Sequence, residues 1–144
     1  MVSEHLAMVN LNAAANKYPD QISGGMKQRV GIARALAIRP KMLLMEPFGA
    51  LDALTRGKLQ KQVLNIWESQ PQAVMMVTHD VDEALYMSDR IVMTTNQPKA
   101  TIGEILKVPF EHLRDRQALR ESKAYFELRN HALNFLDRYF TQDD

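Results

Sequence analysis

The chain has 144 residues, 46% of them hydrophobic and 24% charged, which is the size and composition of one globular domain and excludes a disordered segment. A net charge of +1 leaves no electrostatic footprint for nucleic acid or an anionic membrane surface, and the lack of cysteine excludes disulfides, thiolate catalysis and zinc–thiolate sites. The longest apolar run, residues 73–77, is far too short to cross a bilayer, and residues 1–5 have neither the basic start nor the apolar stretch of a signal peptide. A soluble or peripheral cytoplasmic protein is therefore expected.

In chain order, Ser3 with Glu4 predicts a cap for a short helix to about residue 9, and residues 13–17 add a turn or two before Tyr18-Pro19-Asp20-Gln21 breaks the pattern. From Gly25, the apolar residues Met26, Val30, Ala33 and Ala37 recur at helical spacing, and Pro40 ends that helix. Met42-Leu43-Leu44-Met45 reads as a short buried strand. Leu59, Val63, Ile66 and Trp67 mark one face of the next helix. Residues 73–77 are continuously apolar, as in a parallel strand covered on both faces. Asp80, three residues before Glu83, predicts a helix start resembling a capping box, with the helix running to about Met87. Residues 90–94 and 100–105 read as two further strands joined through Asn96-Gln97-Pro98. The tail, residues 114–140, is mostly helical, with Leu128, Ala132, Phe135, Leu136 and Tyr139 on one stripe. Helix and strand alternate, which argues for an α/β layered fold.

Three motifs bear on chemistry. Ser23-Gly24-Gly25 opens a helix whose free backbone N–H groups stand at the positive end of the dipole, where no side chain obstructs a phosphate; the serine hydroxyl adds a donor. Alone, two glycines after a serine are usually a capped turn. Glu46 ends the apolar strand 42–45, at the carboxyl end where open α/β sheets gather ligands. Such a carboxylate orients or deprotonates a water attacking a phosphate, although a lone glutamate there is more often merely solvated. Thr78-His79-Asp80 follows the second apolar strand, where a histidine is placed to hydrogen-bond a transferring phosphate or, more commonly, to be a loop residue. The four histidines, His5, His79, His112 and His131, form no metal-ligand spacing.

Order and spacing carry more than any one motif. Ile22-Ser23-Gly24-Gly25-Met26-Lys27-Gln28-Arg29, then Glu46-Pro47-Phe48-Gly49-Ala50-Leu51-Asp52, then Val77-Thr78-His79-Asp80 and Ser88-Asp89-Arg90 resemble the ABC ATPase family: its signature, Walker B end, D-loop and histidine switch in sequence. The resemblance implies a partial P-loop NTPase fold, a signature helix plus parallel sheet strands with a C-terminal helical tail. It divides the chain into a partial ATPase domain, residues 1–108, and a helical extension, residues 109–144. It implies that Ser23, Gly24, Gly25 and Gln28 meet ATP held by the opposite subunit and that Glu46 is the catalytic base. Asp52 would link the two sites, and His79 would contact the γ-phosphate held by its own subunit. ATP and Mg²⁺ are the implied cofactors. Transmembrane permease subunits and a second ATP-binding subunit are the implied partners, with a substrate-binding protein engaged indirectly at the cytoplasmic face of the membrane. The stretches from Gly49 to Arg56 and from Met76 to Ala84 are similar to importer ATPases for nitrate, bicarbonate, taurine and sulfonates, and the later run from Asp89 to Asn96, then Ile102-Gly103, Tyr125-Phe126-Glu127-Leu128-Arg129 and Phe135-Leu136 is similar to the nitrate/bicarbonate branch. The nitrate/nitrite and bicarbonate branch stands first.

Two departures accompany this resemblance. None of the six glycines opens a G-x-x-x-x-G-K-[ST] run, so the phosphate-cradling Walker A loop is missing, as are the adenine-stacking aromatic and glutamine loop the family carries upstream. A truncated gene product or a mis-started reading frame would give such a C-terminal fragment. The Walker B strand is also one residue short: Met45 stands where the family has the magnesium-shell aspartate, and a thioether is a poor ligand for a hard cation. A deletion or a sequencing error explains this equally. In the family's fold the Walker A strand lies between strands 73–77 and 90–94, so both are expected to show an unpaired edge. Three functions stay open: a partial ATP-binding subunit, a non-hydrolytic partner lending its signature in trans, and a decayed fragment.

Overall fold

The computed structural model describes residues 2–38, 42–45, 48, 52–69, 71, 73–96, 98–112 and 114–140, with residues 42–45 described by their backbone. The chain forms two compact units, Met1–Val77 and Thr78–Asp144.

The first unit holds helices α1 (Val2–Met8), α2 (Gly24–Ala37) and α3 (Ala53–Ser69), strands β1 (Met42–Met45) and β2 (Ala73–Met76), and two single 3-10 turns at Asn12–Ala14 and Pro19–Gln21. Helix α1 stops because Asn10 takes a left-handed φ of 54°, a conformation asparagine tolerates better than most residues. With it, Leu11 N–H donates to the Leu6 carbonyl at 2.8 Å and Asn10 N–H to that of Ala7 at 3.0 Å, which satisfies the last carbonyls in the paired manner of a Schellman cap. Leu11 thereby turns inward and joins Val9, Ala33, Leu36 and Ile66 in the unit's buried cluster, against which Leu6, Met26, Val30 and Ile32 pack. The end of α1 is also tied to α3, whose Gln62 amide donates to the Met8 carbonyl at 2.9 Å. On α3, Leu59 and Ile66 are buried as their spacing predicts, but Gln60 and Leu64 are buried beside them, and Val63 and Trp67 only in part.

Strands β1 and β2 pair in parallel, Met42 opposite Ala73 through Met45 opposite Met76, with α3 as the crossover. The expectation that strand 73–77 is covered on both faces is corrected: Val74, Met75 and Val77 are 42%, 56% and 49% exposed.

The second unit contains α4 (Val81–Met87), β3 (Arg90–Thr94), β4 (Ile102–Lys107), α5 (Arg116–Glu121) and α6 (Lys123–Phe140). Here the expectation of parallel strands fails. β3 and β4 are antiparallel, Arg90 opposite Lys107 and Val92 opposite Ile105, with a register shift at Met93/Thr94. The short connection, residues 95–101, explains this, because a parallel return needs a crossover of a dozen residues or more. Thr95 closes the hairpin: its N–H donates to the Thr101 carbonyl at 2.9 Å and its hydroxyl accepts from Thr101 N–H at 3.0 Å. One face of this hairpin carries Met93 and Leu106 against Ala132 of α6, with Ile91, Val81 and Phe135 packed around them. The predicted stripe on the tail helix is thus its packing face. Gly103 lets Phe135 lie on the strand, since a Cβ there would stand 2.4 Å from the ring. Arg114, expected inside the tail helix, instead precedes α5; its buried guanidinium donates to the carbonyls of Leu85, Ser88, Phe110 and Glu111 at 2.7–3.1 Å. Among the described residues no helix is long and apolar enough to cross a membrane.

Candidate functional site

Ser23 is the N-cap of α2. Its extended backbone (φ −68°, ψ 163°) turns the chain into the helix, and its Oγ accepts from Met26 N–H at 3.3 Å while its carbonyl accepts from Lys27 N–H at 2.9 Å. The hydroxyl proton stays available to donate outward, because the oxygen serves the helix as an acceptor. A Cβ added at Gly24 would meet nothing within 4 Å, so the helix start is open to approach. Ser23 and Gly24 are exposed, and Gly25 and Gln28 are half-buried on the first turns of the same helix. This 14-residue helix presents its first amides where an anion is favoured.

Glu46 lies outside the described residues. Asp52 caps α3: its Oδ1 accepts from Thr55 N–H at 3.0 Å and its carbonyl accepts from Arg56 N–H at 2.9 Å. Hydrogen bonds from the Thr55 side chain and then its backbone hold the exposed Asp52 carboxyl below the usual carboxylate value.

His79 belongs to the second unit. It is exposed in the turn between β2 and α4, flanked by a built cap. Asp80 Oδ1 accepts from Glu83 N–H at 3.0 Å, the Asp80 carbonyl accepts from Ala84 N–H at 3.0 Å, and Asp80 N–H donates to Thr78 Oγ1 at 3.1 Å. The predicted helix start at Asp80 is therefore present. Ser23, Gly24, Gly25 and Gln28 share one helix start, whereas Asp52 and His79 are each set by a cap of their own.

Sequence reasoning missed the anchor behind His79. Asp82, in the first turn of α4, accepts on Oδ1 from the Tyr125 hydroxyl and from Arg129 Nε at 2.8 Å, and on Oδ2 from an Arg129 terminal nitrogen at 3.2 Å. Burial pushes the Asp82 carboxyl up, but the hydrogen bonds from Arg129 and Tyr125 outweigh it and hold the group below its ordinary value. The buried Tyr125 phenol is raised by burial and by Asp82. The signal was legible only as a tyrosine and an arginine four apart, on one face of α6. Their partner is 43 residues from Tyr125 and 47 from Arg129 in sequence.

The residues at the start of α2 fit the phosphate end of a nucleotide: an unobstructed glycine, free helix amides and a hydroxyl able to donate. For Mg²⁺ the fit is poorer, with Met45 preceding Glu46 and no group of three histidine or carboxylate side chains among the described residues that could hold a metal.

Residues 1–48 match the family model described as ABC transporter. Over its whole length the chain is 57% identical to the nitrate import ATP-binding protein NrtD of Synechococcus elongatus, covering 53% of that protein. It is equally 57% identical to the bicarbonate transport ATP-binding protein CmpD of the same organism, covering 52% of it. An ABC transporter solved in an inward-facing conformation superposes with a TM-score of 0.63 at 27% identity, over 72% of this chain and 42% of that one. The ADP form of the ATP-binding cassette MJ1267 superposes at 0.57 over 63% of this chain and 36% of that one; at 24% identity it shows the fold alone. The chain is thus ABC-transporter ATP-binding protein sequence with a partial, mixed α/β ABC ATPase fold. In particular, it is close over its full length to the cyanobacterial nitrate and bicarbonate import ATPases, and it spans about half the length of those relatives.

Proposed function

We propose that this chain is the signature-to-switch part of the ATP-binding subunit of an importer for a small inorganic anion, nitrate or nitrite first and bicarbonate next. The observation that carries the reading is the start of α2, where Ser23 caps the helix and Gly24 leaves its amides unobstructed. There Ser23, Gly24 and Gly25, with Gln28 behind them, donate to the γ-phosphate of an ATP held by a second ATP-binding subunit. Glu46 acts as the base toward the attacking water, Asp52 connects the two sites, and His79 faces the γ-phosphate of its own subunit. Magnesium, when bound with ATP, offsets the charge on the phosphate oxygens. Transmembrane permease subunits are the docking partners at the cytoplasmic face of the membrane, and a substrate-binding protein engages only through them; nucleic acid has no part. The identities to NrtD and CmpD support an anion importer and are equal at 57%, so they do not separate the two anions.

A second reading has its own observation. Met45 directly precedes Glu46, and a methionine thioether is a poor ligand for a hard cation. On that reading the 144-residue chain lends its signature to another subunit's ATP without holding its own. Titration calorimetry of the expressed chain with Mg-ATP decides between them. Heat below detection is expected for a signature donor, and a low-micromolar, magnesium-dependent dissociation constant would establish a self-sufficient nucleotide site instead.

A further inference from the structure

The turn that carries His79 is held from two sides. Along the chain, Asp80 fastens it to α4 by accepting from Glu83 and Ala84, and Thr78 accepts from Asp80, so residues 78–84 form one hydrogen-bonded turn. Across the unit, the next acidic residue, Asp82, is gripped by α6: Arg129 reaches both carboxylate oxygens and the buried Tyr125 adds its hydroxyl. A two-point guanidinium contact fixes orientation as well as distance, which a single ammonium does not. The grip therefore sets the direction in which α4 starts, and with it the seat of His79 two residues before α4. Tyr125 is itself fixed against Phe110, ring centroids 6.3 Å apart.

We propose that Tyr125 and Arg129 are positioning residues for His79, so that the C-terminal helix α6 holds the histidine turn in place through Asp82. As a statement about ATP turnover this rests on the reading of His79 as a phosphate-facing residue; as a statement about coupling it does not.

The test uses the full chain without nucleotide, so that its failure is separate from failure of the functional reading. The His79 imidazole signal is followed by NMR, assigned with a His79→Gln variant, together with amide exchange at Glu83 and Ala84. Arg129→Gln shifts the His79 signal and speeds exchange at those two amides by about fivefold, the effect expected from losing a partly exposed ion pair. Tyr125→Phe shifts both in the same direction, and Arg129→Lys restores part of the loss. Lys123→Gln, which removes an exposed i,i+4 pair on the same helix, leaves both unchanged. An unmoved His79 signal and unchanged exchange in Arg129→Gln, with β3–β4 amides still protected, overturns the proposal. Where Arg129→Gln unfolds the unit, Tyr125→Phe decides on the same two readouts, since it deletes a single hydroxyl.

Discussion

Asp80 and Asp82 stand two positions apart and answer to different forces. Asp80 satisfies backbone amides of its own helix, and a cap of that kind is worth about 1 kcal/mol, so Asp80→Ala is expected to cost about that much in a urea melt. The Asp80 role was legible because a cap acts within three or four residues. Asp82 takes its partners from α6, and no local pattern could announce them. Burial raises its carboxyl, but the hydrogen bonds from Arg129 and Tyr125 hold it below the ordinary aspartate value in the folded state. Its contribution to stability is therefore fully present above that value and is lost as the pH falls through the lowered one. Chemical denaturation at a series of acidic pH values should show this as a loss of stability below about pH 4 that Asp82→Asn removes. An Asp82→Asn variant with the wild-type acid limb would show that Asp82 gains nothing from Arg129 and Tyr125. Of the site residues named from sequence, Ser23, Gly24 and Asp52 stand at helix starts, as their residue types require. Glu46 lies outside the described residues.

Helix and strand positions were largely readable because apolar spacing and breakers act over a few residues. The cover of a strand was not, because it depends on which distant segment arrives. The tail illustrates both. The stripe ending in Phe135, Leu136 and Tyr139 gave α6 its packing face, yet only the structure shows that Phe135 lies on Gly103. A valine at 103 would force the ring or the strand aside, and overpacking of this kind costs about 1–3 kcal/mol. Gly103→Val should lower the unfolding free energy by that amount, and adding Phe135→Ala should cost less than the two changes summed. Additive losses would show that the two residues do not meet. Arg114 shows the opposite limit of sequence reading. In sequence it is one basic residue among several, but in the fold its fork satisfies carbonyls at the end of α4 and in the segment after β4.

At the scale of the molecule, the chain spans about half the length of its relatives; among the described residues, Met75 of β2 is 56% exposed. Exposed apolar strands pair with other chains unless charge blunts them. Met75→Lys is accordingly expected to reduce self-association of the expressed chain in sedimentation velocity, and unchanged association would place the sticky surface elsewhere. At the start of α2, the proposed role of Ser23, Gly24 and Gly25 is to offer donors to a phosphate held by another subunit. Gly24 is suited to the test because a Cβ there meets nothing within 4 Å, so Gly24→Trp sets a bulky side chain where the phosphate would approach. The most direct measurement mixes the chain with an intact NrtD from Synechococcus elongatus whose own signature serine and glycines have been replaced, leaving its phosphate loop in place, and records ATP hydrolysis. The wild-type chain is expected to restore turnover, and Gly24→Trp is not. Equal turnover with both chains, or none with either once the mixed dimer is confirmed, would contradict the proposed role.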